Sequence, residues 1–127
     1  MAVAQQLPQG SCQAGDRHLN FHETRDNLPT CWAAHTPEEQ RVLLEELDLW
    51  VTWLVDHYSL DRRHVPQCWA EHWELVEELS ALRLAWEGAY ATTAHADAPL
   101  AWHEHLRLSR ERLVDWGTGC RPGEHRL

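Results

Sequence analysis

The chain is 127 residues long and carries twenty acidic side chains against eleven basic ones, for a formal net charge of −9. That length predicts one domain able to bury a core without staples, and so acidic a surface argues against direct binding to a phosphate backbone. No stretch approaches the roughly 20 apolar residues of a membrane span, and the N-terminus lacks the basic-then-apolar layout of a secretory signal, so a cytoplasmic protein without membrane contact is expected.

Residues 1–27 mix Gln, Gly, Pro, Asp and His without a sustained apolar period and read as a flexible or loosely docked arm, leaving 28–127 as a helical domain. The first clear helix opens at Thr36-Pro37-Glu38-Glu39: threonine caps, proline suits the first turn, and Glu39 completes a capping box. Leu43, Leu47, Trp50 and Leu54 then recur at helical spacing as far as about Tyr58. After a turn over 59–65, Pro66 opens a second helix carrying Trp69, Trp73, Val76, Leu79, Trp86 and Tyr90. Residues 91–98 are small and polar. Pro99 then starts a third helix that turns Trp102, Leu106, Leu113 and Val114 to the core and stops at Gly117. With no alternating β pattern, the expected fold is all-α, an antiparallel bundle of three main helices.

Eight tryptophans in so short a chain predict a core built largely of indole, with each ring N–H seeking an acceptor. All the basic residues are arginine, and lysine and isoleucine are absent, a bias typical of a high-G+C bacterial genome. The short basic clusters Arg62-Arg63-His64 and Arg107, Arg110, Arg112 read as solvated helix ends and faces. Four cysteines in a reducing compartment read as thiols or metal ligands before disulfides.

One short pattern occurs twice. Pro29-Thr30-Cys31-Trp32-Ala33-Ala34-His35 and Pro66-Gln67-Cys68-Trp69-Ala70-Glu71-His72 both read P-x-C-W-A-x-H. On a helix, Cys68 and His72 project from one face and could grip one ion. Either Cys31 and His35, or Cys120 and His125 in the terminal Cys-Arg-Pro-Gly-Glu-His run, would complete a Cys2His2 set, the chemistry of a closed structural zinc site. The plainer reading is a buried cysteine beside a helix-end histidine, because Cys packs as a small hydrophobe. Catalytic signatures are missing: there is no H-E-x-x-H, no G-x-S-x-G, no phosphate-cradling glycine loop and no di-iron E-x-x-H pair. His103-Glu104-His105 places its two histidines on different helix faces, a poor chelate. The expectation is therefore a protein that is not an enzyme, with no catalytic residues.

From Leu47 onward the run L-D-L-W-V-T-W-L-V-D-H-Y-S-L-D-R-R-H-V-P-Q-C-W-A-E-H, then V-E-E-L-S-A-L-R-L-A-W, R-E-R-L-V-D-W and G-C-R-P-G-E-H, resembles a family of small Trp-rich helical proteins of Streptomyces and related actinobacteria. The likeness covers about 80 residues. That family has no assigned activity and is often encoded on mobile regions, so the resemblance implies a bacterial source rather than a mechanism. Its P-C-W-x-x-H stretch matches Pro66–His72 and its terminal G-C-R-P-G-E-H matches Gly119–His125, which favours Cys68, His72, Cys120 and His125 as the zinc ligands. The functional expectation is a small acidic interaction or accessory protein, linked to a mobile element, that binds a protein partner. Two alternatives stay open: an acidic decoy of a nucleic-acid-binding protein, and a metal- or thiol-dependent enzyme.

Overall fold

The computed structural model describes residues 29–118, so the expected arm over 1–27 and the residues Cys120 and His125 lie outside the described part. Within it are three α-helices, α1 (Pro37–His57), α2 (Trp73–Ala89) and α3 (Ala98–Trp116), two short 3-10 turns (Trp32–Ala34 and Trp69–Glu71), and no strand. The all-α bundle expected from the sequence is present.

The start of α1 is built as its sequence predicts. The Thr36 hydroxyl accepts the Glu39 amide (3.1 Å) while the Glu39 carboxylate accepts the Thr36 amide (3.0 Å), so both halves of the capping box form ahead of Pro37. Its other end is a Schellman motif without glycine: Ser59 takes the left-handed conformation (φ 55°), its amide reaches Asp56 O, and the Leu60 amide reaches back to Val55 O. Leu60, the residue after the left-handed one, is buried.

The second helix begins later than the sequence pattern suggests. Pro66 leads not into α2 but into the second 3-10 turn, and the extended backbone of His72 (φ −131°, ψ 117°) separates that turn from Trp73. Cys68 and His72 therefore flank a tight turn and do not share an α-helical face. The third helix has Pro99 in its first turn and ends at Gly117 as expected, although Val114 is partly exposed and does not face the core.

Ring contacts fix the directions of the helices. The Gln40 side-chain amide, buried in the first turn of α1, donates to Trp32 O (2.8 Å) and to His35 O (3.3 Å), which ties the first 3-10 turn to that helix. Trp32 then meets Trp73 at the start of α2, with ring centroids 6.0 Å apart. Near the far ends of the same two helices, Trp86 meets Trp50 at 6.0 Å and Trp53 at 5.0 Å. Thus α1 and α2 point the same way. Helix α3 runs antiparallel to both: Trp102 near its start meets Tyr58 at the end of α1, while Ser109 and Arg112 further along reach Glu78 in the first half of α2. Residues 58–72 carry the chain back beside α3, with His64 near Arg110 and Pro66 against Gly117, before α2 begins. A β-carbon on Gly117 would lie in ordinary contact with Pro66 Cδ (3.5 Å) and somewhat close to Leu113 O (3.1 Å), so the turn packs directly against the end of α3.

The core joins Leu44, Leu54, Leu75, Val76, Leu79 and Leu113 to Trp32, Trp50, Trp69 and Trp102. Only part of the tryptophan set is interior, because Trp53, Trp73, Trp86 and Trp116 keep accessible surface. Trp102 satisfies its indole N–H on Tyr58 Oη (2.9 Å), whereas the buried N–H groups of Trp32 and Trp50 find no acceptor among the described residues. Those rings instead pack against other indoles, Trp32 edge-on to Trp73 and Trp50 tilted against Trp86, so aromatic burial offsets the lost hydrogen bond.

Candidate functional site

The two P-x-C-W-A-x-H stretches fold into the same local structure. In each, Cys precedes a 3-10 turn begun by a buried Trp, and the Cys carbonyl accepts an amide three residues on: Ala34 N to Cys31 O (3.0 Å) and Glu71 N to Cys68 O (2.9 Å). The histidine amide then closes on the Trp carbonyl at 3.2 Å in both copies, and an α-helix follows. The contact between Trp32 and Trp73 places the two turns at one end of the bundle.

Their chemistry differs. Cys31 is disulfide-bonded, which corrects the expectation of thiols or metal ligands at every cysteine and removes the Cys31–His35 alternative as a thiolate pair. His35 Nδ1 lies 3.3 Å from Glu39 Oε1. In the second turn Cys68 is a half-buried thiol whose Sγ lies 3.6 Å from His72 Nε2. Of the four expected zinc ligands the structure thus brings Cys68 and His72 together, and Cys120 and His125 fall outside the described residues. No group of three or more His, Cys, Asp or Glu side chains among the described residues is arranged to hold a metal ion.

At the opposite end lies a surface the sequence reading only half anticipated. The indole of Trp53, about one-third exposed, stacks on His57 (4.8 Å, 17° between planes) and abuts Trp86, which in turn meets Tyr90, itself 52 % exposed. Leu49, one turn before Trp53 on the same face of α1, is 74 % exposed. The aromatic chain continues inward through Tyr58 to Trp102, so the exposed rings are braced by buried ones. The two helices that bear this surface are acidic in composition: α1 carries Glu38, Glu39, Glu45, Glu46, Asp48 and Asp56 against the single Arg41, and α2 carries Glu74, Glu77, Glu78 and Glu87 against Arg83. In α3 the two signs balance.

The arginine clusters are engaged locally. Arg63 faces Asp61, Arg107 lies between Glu104 and Glu111, and Arg112 grips Glu78 with both Nε and Nη2. Burial pushes the His64 imidazole below its ordinary value, against the opposing pull of Asp61. His103 and His105 are exposed. No helix among the described residues is long and apolar enough to cross a membrane. No family model, curated protein or solved structure matches the chain.

Proposed function

We propose that the protein is a non-enzymatic interaction module that docks a basic protein segment on the acidic, aromatic face of α1 and α2. The observation that carries this reading is the contiguous set Trp53, Trp86 and Tyr90, left accessible beside Leu49. Aromatic side chains of this kind concentrate binding energy because they bury large area at low entropic cost, and their ring faces attract arginine and lysine. The carboxylate excess of the two helices adds long-range attraction for a basic partner and repels nucleic acid. A link to a mobile element rests on the resemblance to the actinobacterial proteins alone.

The test places a photo-crosslinking residue at Leu49 in one variant and at Glu111, on α3, in another. A protein partner should crosslink from position 49 and not from position 111, and Trp53→Ala should weaken it about 30-fold, the effect of a ~2 kcal/mol hot spot. Equal crosslinking from both positions, or indifference to Trp53→Ala, would sink the proposal. The acid excess of α1 and α2 also favours the narrower reading of a decoy for a nucleic-acid-binding protein, in which nucleic acid competes for the captured partner and rising salt releases it.

A further inference from the structure

We infer that the docking face continues along the outer side of α1 as far as Val42 and that its occupant is an amphipathic basic α-helix laid against Val42, Leu49 and Trp53. The inference rests on the docking role proposed above and names the partner's chemistry. Its first support is the arrangement of the apolar groups. At about 100° per residue, Val42, Leu49 and Trp53 fall within about 40° of one another, on the side of α1 away from the buried Leu44, Leu47 and Val51. All three keep accessible surface: Val42 is 43 % exposed, Leu49 74 % and Trp53 36 %. From Val42 to Trp53 the stripe runs three turns, about 16 Å, and Trp86 and Tyr90 prolong it beyond Trp53. That length suits a docked helix of three to four turns, about the mean for globular proteins.

The second support is the charge that borders the stripe. The same helical arithmetic sets Glu38, Glu45 and Asp56 along one border and Glu39 and Glu46 along the other. Glu38, Glu45 and Asp56 are exposed and enter no ion pair among the described residues. A second copy of the chain would press this acidic stripe against its like, whereas a basic segment is attracted to it. Glu45 lies in the turn between Val42 and Leu49, so apolar and acidic groups alternate along the helix. The complement is a helix with an apolar residue at every seventh position and arginine or lysine between them. An extended segment fits less well, because the outside of a helix offers no open backbone edge to pair with. Its amides and carbonyls would lose water against Val42 and Leu49 without gaining partners, while those of a helix are bonded within it.

The experiment titrates the full chain into a fluorescein-labelled synthetic peptide of about 20 residues, with leucine at every seventh position and arginine three and four residues after each leucine. A second peptide has the same composition with the period scrambled. The expected result is fluorescence anisotropy showing one peptide per chain, bound about tenfold more tightly when periodic than when scrambled, with a gain of helical circular dichroism on mixing. Val42→Gln and Leu49→Gln, which keep the charge and change exposed positions, should each weaken the periodic peptide about fivefold or more, and Leu108→Gln on α3 should not. Circular dichroism of each variant alone verifies that its helices are intact. Equal affinity for the two peptides, or no binding of either, overturns the inference. Indifference to Val42→Gln while Trp53→Ala still weakens binding overturns the helix along α1 and leaves the docking face standing. Indifference to both Leu49→Gln and Trp53→Ala removes the face as well. Sedimentation that shows a dimer dissociated by Leu49→Gln would assign the stripe to a second copy and likewise overturn the inference.

Discussion

Substitution of Glu78 tests how α2 and α3 are locked together. Ser109 is wholly buried on α3 and its hydroxyl donates to Glu78 Oε2 (2.5 Å), while Arg112, half exposed, closes a two-pronged pair on the same carboxylate at 2.9 and 3.1 Å. Removing the carboxylate does two things of different size. It releases Arg112 to solvent, which at that exposure costs about 0–1 kcal/mol. It also leaves the Ser109 hydroxyl buried without its acceptor, which costs about 1–3 kcal/mol. Glu78→Ala should therefore destabilise the protein by about 2–3 kcal/mol, or roughly 10 °C or more in Tm for a domain of this size. Arg112→Ala should cost under about 1 kcal/mol.

The double variant is the sharper measurement. In Ser109→Ala/Glu78→Ala the orphaned hydroxyl is gone, so the pair should be less destabilised than the two single changes added together, with a coupling of about 1–2 kcal/mol. Denaturant unfolding followed by tryptophan fluorescence and by circular dichroism supplies all four corners of the cycle. If Glu78→Ala is no worse than Arg112→Ala, or if the cycle is additive, the buried hydroxyl is not the seat of the effect and the reasoning fails.

Three further outcomes follow from the same structure. Tyr58→Phe removes the acceptor that the buried Trp102 indole N–H finds among the described residues and should cost about 1–2 kcal/mol, measured in the same unfolding assay; a neutral result would mean that the N–H finds another acceptor. Ser59→Gly should raise stability by about 0.5–1 kcal/mol, since the left-handed φ of 55° strains serine and suits glycine, and a fall in midpoint would count against the Schellman description. Because burial holds the folded His64 pKa below its unfolded value, the unfolded chain takes up that proton first as the solution is acidified. Stability should accordingly be full above about pH 6.5 and decline as pH drops through that value toward the lower folded one, and His64→Gln should flatten that part of the profile while leaving the plateau at higher pH similar.

What the sequence made legible was whatever rests on local rules. The capping box at Thr36–Glu39 needs only four residues to be recognised, and the stop at Gly117 only one. The apolar period of α1 identified Leu43, Leu47, Trp50 and Leu54, all buried, but not Gln40, whose role depends on two carbonyls in a preceding turn that no periodicity reveals. The start of α2 was misplaced because proline can open an α-helix or a 3-10 turn alike, and the extended residue His72 carries no signature of its own. Ser109 and Glu78 were invisible for a similar reason: each is ordinary alone, and they meet only because α3 folds back on α2.

Helix direction decides where function can sit. Because α1 and α2 run the same way, the doubled Cys-Trp-Ala-x-His turns meet at one end and the exposed Trp53, Trp86 and Tyr90 gather at the other. Thirteen residues of α2 separate Trp73 from Trp86, about 20 Å along the helix. Perturbations that far apart, sharing no partner, should act independently. Loss of partner crosslinking in Trp53→Ala with the unfolding midpoint intact, together with the converse in Trp32→Ala, would separate a docking face from a purely structural end. If Trp32→Ala abolished partner binding while the helices stayed intact, the two ends would be coupled through α2.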